Sequence, residues 1–178
     1  GTQQAAPLIV SGLKRLEYRG YDSAGVCIIS DSGARIEKKA GRVADLEKYV
    51  DISSMNGTVG VGHTRWATHG VPNDVNAHPH TDQSGSIALV HNGIIENYLT
   101  IKKKLLNAGY TFRSETDSEV LAVFIGMLYE TLNDLELAVR TALSEVEGTF
   151  GLVVLSTHEP DMIIAARRGS PLILGIGN

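Results

Sequence analysis

The sequence predicts an α+β domain built in layers, with largely antiparallel sheets. Two observations predict this. Strand-like segments fall into two groups separated by a run of helices, without the strict strand–helix alternation that builds a parallel sheet. Both strand groups are also apolar enough to be buried. The chain has 178 residues, 43% hydrophobic and 20% charged, which suits one compact domain with a core of its own. Two stacked sheets flanked by helices satisfy this pattern.

The elements follow in order. From Gln3 to Glu17, apolar positions at Ala5, Leu8 or Ile9, Gly12 or Leu13, and Leu16 recur at helical spacing. Pro7 fits only the first turn of such a helix. Ala24–Ser30, rich in small and β-branched residues, reads as a strand. Ser32-Gly33 is a turn signal, and Ala34–Lys39 is the return strand of a hairpin. Arg42–Val50 reads as a short helix, and Thr58–His63 and Ile87–His91 as strands. Ile95–Asn107, stopped by Gly109, and Ser118–Leu132 are the clearest helices, with Leu135–Val146 a third. Gly151–Ser156, Met162–Ala166 and Leu172–Ile176 then read as strands separated by turns.

Several classes of function are disfavoured. A net charge of −4 argues against nucleic acid as a partner. No apolar run has the length that spans a bilayer, and no signal-peptide pattern opens the chain, so no membrane role is expected. Cys27 is the single cysteine, which excludes an internal disulfide and makes a cytoplasmic setting the simplest reading.

The densest polar constellation is His63-Thr64-Arg65-Trp66-Ala67-Thr68-His69-Gly70, followed by Asn76-Ala77-His78-Pro79-His80. It starts at a strand end and runs into a Gly- and Pro-containing segment, where binding groups are commonly carried. The planar fork of Arg65 suits both oxygens of a carboxylate, with Thr68 and His69 as further donors. The plainer alternative is a solvated loop with a structural arginine. Four histidines here invite a zinc reading, but the spacing His63-x5-His69 and the pair His78-Pro79-His80 are not standard metal spacings, and no metal is expected.

His91-Asn92-Gly93 is expected at a turn between a strand and a helix starting near Ile94 or Ile95. Exposed backbone N–H groups and the Asn92 amide could there form an oxyanion hole. A plain Asn-Gly turn is the alternative. In Ser114-Glu115-Thr116-Asp117-Ser118-Glu119, Thr116 or Asp117 caps the following helix, and Asp117 could also anchor an ammonium group. Tyr18–Gly25, with Arg19 and Asp22, reads as a shaped loop.

Taken together, EYRGYDSAG (Glu17–Gly25), HTRWATHG (His63–Gly70), NAHPH (Asn76–His80), HNGIIEN (His91–Asn97) and SETDSE (Ser114–Glu119) resemble the class II glutamine amidotransferases, a family of N-terminal-nucleophile hydrolases. The resemblance runs in order over nearly the whole chain. Tyr21 and Trp66-Ala67-Thr68-His69 are similar to the branch that aminates fructose 6-phosphate. The purine-pathway amidophosphoribosyltransferases usually carry Tyr-Ser-Thr after the arginine.

The resemblance implies a four-layer αββα sandwich and hydrolysis of L-glutamine to L-glutamate and ammonia, with no cofactor. It assigns Arg65, Thr68 and His69 to the α-carboxylate pocket and Asp117, with the Gly93 region, to the α-ammonium. Asn92 and Gly93 become the oxyanion hole, and Trp66 part of a loop closing over glutamine. Arg19 is expected near the amine of the nucleophile, and His78 in a supporting place. The nucleophile it implies is an N-terminal cysteine whose own α-amino group is the base. This sequence begins Gly1-Thr2-Gln3, so residues 1–178 are expected to be an amidotransferase domain lacking its cysteine-bearing strand and inactive as such. The sugar isomerase domains of a homo-oligomeric parent are expected to lie outside it. The alternatives are a glutamine- or glutamate-binding module without catalysis, and another class II amidotransferase such as an amidophosphoribosyltransferase.

Overall fold

The computed structural model describes residues 2–66 and 70–177. Helix α1 (Ala5–Leu16) buries Ala6, Val10 and Leu13 on one stripe, with Pro7 in its first turn and Lys14 and Arg15 in its last. The basic residues there complement the partial negative charge of the helix end. A 3-10 turn (Glu17–Arg19) leads to β1 (Ser23–Ser30), which turns back into β2 (Gly33–Ala40). Helix α2 (Val43–Tyr49) follows, its first N–H donating to the Glu17 carboxylate at 2.7 Å. Strand β3 (Val59–Arg65) completes the first half. The second half comprises β4 (His80–Thr81), β5 (Ile87–Ile95), α3 (Tyr98–Asn107), α4 (Asp117–Leu132), α5 (Leu135–Glu145), β6 (Gly148–Ser156) and β7 (Ile163–Arg168).

Two antiparallel sheets result, with strand orders β2-β1-β3 and β4-β5-β6-β7. Alternation along β1 builds two cores at once. Ala24, Val26 and Ile28 pack with α1 and α2, whereas Cys27 and Ile29 join Val61, Ala88, Val90 and Leu155 between the sheets. A strand covered on both faces reads as a continuous apolar run. The third core lies under α3, α4 and α5, where Leu89, Leu152 and Val154 meet Leu121 and Ile125. Each such fully buried aliphatic side chain contributes about 1.5–3 kcal/mol of transfer free energy. The layers therefore run helix, sheet, sheet, helix, and the αββα sandwich is the fold.

Three expectations need correction. Helix α3 starts at Tyr98, and β5 continues through Asn92 and Gly93 to Ile95, paired with β6 as far as Gly148. The ladder wins because Ile95 is buried, and because the Asn97 side chain bonds the Glu145 carbonyl (2.8 Å) and the Glu147 N–H (3.0 Å) at the helix start. The oxyanion candidates thus sit within a strand and not at a helix N-terminus. Leu172–Ile176 forms no strand: Ile173, Leu174 and Ile176 are about nine-tenths exposed. Its apolar pattern suits a strand, but among the described residues no ladder pairs with it. Strand β4, only two residues long, was not expected.

Candidate active site

A cavity of about 360 Å³ opens where the end of β3, the second half of β5 and the first turn of α4 converge. Arg65 is the last residue of β3. It lies opposite Ser23 of β1, and its carbonyl accepts the Asp22 N–H at 3.1 Å. Its side chain is buried in the cavity wall. Burial pushes the guanidinium pKa down, while the carboxylates of Asp117 and Asp22 oppose that shift. An arginine keeps its charge in such a setting.

Asp117 opens α4 and lines the same cavity. The capping role falls to Thr116, whose Oγ1 accepts the Glu119 N–H at 3.2 Å. Asp117 Oδ2 accepts the Ile95 N–H at 2.9 Å, which ties the carboxylate to β5. The first turn of a helix also favours an anion. A buried cation and a buried anion, 52 positions apart in sequence, therefore face one cavity.

Asn92 and Gly93 line the cavity from β5. Gly93 has φ +146°, and a Cβ there would lie 2.1 Å from the Thr149 carbonyl oxygen of β6. No other residue fits this backbone position without displacing the ladder. Trp66, 60% exposed, stands at the cavity wall with its ring 5.5 Å from that of Tyr21, edge to face. Arg19 lines the cavity from the 3-10 turn. Thr68 and His69 lie outside the described residues, as does the centre of the Trp66–Pro72 segment expected to act as a flap.

His78 is buried in the cavity wall, inside a group of packed imidazoles. Its ring stacks on His63 at 4.4 Å and meets His80 edge-on at 4.8 Å. His78 Nδ1 accepts the His91 N–H at 3.3 Å, and His80 Nε2 pairs with Thr116 Oγ1 at 3.0 Å. Among the described residues no three His, Cys, Asp or Glu side chains converge as a group that could hold a metal. Burial is the main force lowering the imidazole pKa values, followed by neighbouring charge: His63 falls to about 4, and His78 and His80 lie well below the usual range.

These shifts set an acid limit on stability. An unfolded histidine titrates near 6.5, but His63 stays neutral in the fold down to about 4. Between those values the unfolded chain binds more protons, so stability is full above about pH 6.5 and drains away toward pH 4. His63 alone accounts for a loss on the order of 3 kcal/mol. Urea unfolding of the chain at pH 7 and pH 5, compared with His63→Gln, measures this. The substitution should remove part of the difference between the two pH values, and an unaltered difference would contradict the assignment.

Some cavity residues had no part in the glutamine pocket expected from the sequence. His63 entered only the zinc reading, Thr116 only as a helix cap, and His91 and Ser118 only as members of motifs whose neighbours carry the assigned roles. His91 Nδ1 pairs with Ser118 Oγ at 2.9 Å, joining β5 to α4. Leu13 and Leu16 of α1 also line the cavity, and nothing in their helical spacing marked them.

A family model described as the glutamine amidotransferase domain matches residues 34–172. The chain belongs to the glutamine amidotransferase domain family. It is 53% identical over 178 residues to a glutamine–fructose-6-phosphate aminotransferase (isomerizing) of Caldanaerobacter subterraneus subsp. tengcongensis, covering 100% of this chain and 29% of that protein. The enzyme of the same name from Pyrococcus horikoshii is 49% identical over 177 residues, covering 99% of this chain and 30% of that protein. The chain thus spans less than a third of the length of these curated relatives. Among solved structures, the glutamine phosphoribosylpyrophosphate amidotransferase of B. subtilis, complexed with ADP and GMP, superposes with a TM-score of 0.79 at 26% identity, covering 94% of this chain and 35% of that one. A second, the allosteric regulatory enzyme of purine biosynthesis, gives 0.75 at 27% identity, covering 86% of this chain and 33% of that one. The amidotransferase domain thus shares the sandwich of these enzymes, and its cavity lies where three elements of both halves meet.

Proposed function

We propose that this amidotransferase domain binds free L-glutamine in the Arg65–Asp117 cavity and is the glutaminase part of a glucosamine-6-phosphate synthase. The whole enzyme would release ammonia from the glutamine side chain and pass it to fructose 6-phosphate on sugar isomerase domains of the same parent chain. We place that parent in the cytoplasm, as a homo-oligomer. The observation that carries the reading is the pairing of one buried cation and one buried anion in a single cavity. Free glutamine carries an α-carboxylate and an α-ammonium on one carbon, and peptide-bound glutamine carries neither. Similarity near 50% to aminotransferases of fructose 6-phosphate, against 26% for the phosphoribosylpyrophosphate enzyme, favours the amino-sugar branch.

In this reading Arg65 takes the carboxylate, with Thr68 and His69, and Asp117 takes the ammonium. Trp66 closes the mouth, and Arg19 and His78 support the walls. The reaction needs a thiolate to attack the side-chain carbonyl. As the C–S bond forms, the C=O π pair moves onto oxygen; on collapse C=O re-forms while the C–N bond breaks and the protonated nitrogen leaves as ammonia. Donors at Asn92 and Gly93 would meet the negatively charged oxygen. Cys27 does not supply the thiolate: it is fully buried in β1, and burial pushes its thiol up to about 12. The family resemblance implies an N-terminal cysteine in that role; residues 1–178 carry no cysteine besides Cys27, and on this reading they should release no ammonia from glutamine.

Calorimetry tests the binding. L-glutamine and L-glutamate should bind, and Nα-acetyl-L-glutamine, which lacks the ammonium, should not. Equal binding of the acetylated compound would remove Asp117 from its role. Ammonia release above a buffer blank, abolished by a thiol reagent, would show that the nucleophile has been misplaced.

A further inference from the structure

We propose that Lys38 is a positioning residue for the glutamine pocket, holding the segment 75–79 so that His78 keeps its place in the cavity wall. The inference rests on the reading of that cavity as a glutamine site.

Lys38 lies on β2, opposite Gly25 of β1. At Gly25 a Cβ would come 2.1 Å from the His78 carbonyl oxygen and 2.6 Å from the Lys38 Cβ. The segment therefore lies directly on the β1 backbone, beside Lys38, where only glycine leaves room. The Lys38 ammonium has three N–H donors, and the segment presents three carbonyls to it: Val75 at 3.1 Å, Ala77 at 2.7 Å and Pro79 at 3.2 Å. The same end of β2 grips the start of the segment, with Lys39 Nζ and the Ala40 N–H each 2.7 Å from the Asp74 carboxylate. On the far side, His78 receives the His91 N–H and His80 meets Thr116. The segment is thus clamped between β2 and the elements that carry Asn92 and Asp117. Lys38 itself is not among the residues that line the cavity.

The clamp depends on the third proton. A neutral amine has two N–H donors for three carbonyls and turns a lone pair toward the one left over. The groups facing Lys38 are Glu119 of α4, Arg113 ahead of it, Arg65 of β3, Asp74 of the segment and His80 of β4, which stays neutral. Burial is the main force lowering the ammonium pKa, to about 8, with Arg113 and Arg65 adding to it and Glu119 and Asp74 opposing it. The hold should therefore weaken as pH rises past about 8.

The test combines calorimetric affinity for L-glutamine with amide hydrogen-exchange protection across residues 75–80, in the unsubstituted chain, Lys38→Met and Lys38→Arg, at pH 7 and pH 9. Lys38→Met should weaken affinity about tenfold and lower protection in that segment. Lys38→Arg should restore both to within about twofold, because a guanidinium also carries several donors. From pH 7 to pH 9 the unsubstituted chain should lose more affinity than Lys38→Arg, since the ligand's own ammonium titrates alike in both. If Lys38→Met does not fold, the pH comparison with Lys38→Arg decides. Affinity unchanged in Lys38→Met, or an identical pH dependence in Lys38→Arg, overturns the role of Lys38. Absence of glutamine binding in the unsubstituted chain overturns the pocket reading, and the role of Lys38 with it.

Discussion

Replacing Arg65 by alanine should weaken L-glutamine binding by about 30- to 150-fold, the equivalent of losing one charge-assisted, bidentate contact of about 2–3 kcal/mol. The geometry gives this substitution its force. Arg65 is 5% exposed, so water cannot replace it freely around a bound carboxylate. Its removal also leaves the buried Asp117 carboxylate without the cation that faces it electrostatically. In the intact enzyme the same change should raise KM steeply, because both ground state and transition state use the carboxylate contact. The milder substitution Arg65→Lys should recover only part of the affinity, since a point charge does not reproduce the fork. Thermal unfolding of the variant checks that the fold survives. Affinity within twofold of the original, in a folded variant, would show that Arg65 serves the structure and not the ligand.

Asn92→Ala in the intact enzyme should lower kcat by about a hundredfold or more while leaving KM for glutamine little changed. An oxyanion donor acts on charge that develops only after the thiolate attacks, so its loss falls on the rate. The fold should tolerate the change. Asn92 is exposed at the cavity, and its backbone bonds within the β5–β6 ladder do not involve the side chain. Gly93 offers no comparable experiment, because a Cβ would strike the Thr149 carbonyl and damage the strand before it reported on catalysis. Full kcat in a folded Asn92→Ala enzyme would require another donor for the oxyanion.

The sequence by itself determined the fold class and the residue types at the site. Strand groups and helices were legible because burial leaves period-2, continuous or 3.6-residue apolar patterns, as in the two-sided run of β1 and the stripe of α1. The motifs carrying Arg65, Asn92, Gly93 and Asp117 were legible because their chemistry is unusual at those spacings and resembles a known family. Tertiary structure alone decided the rest. Pairing with β6 carried β5 through Asn92-Gly93 to Ile95, overriding a local signal for a turn and a helix start. Leu172–Ile176 has a strand's composition, yet a strand exists only with a neighbour to complete its hydrogen bonds. The convergence of Arg65 and Asp117 depends on two sheets stacking through Cys27, Ile29, Val61 and Val90, a contact between distant segments that no local pattern encodes. The grip of Lys38 on three carbonyls was hidden for the same reason. In the sequence it is one of two adjacent lysines on an ordinary hairpin, and only the packing of a distant segment onto Gly25 gives it a role.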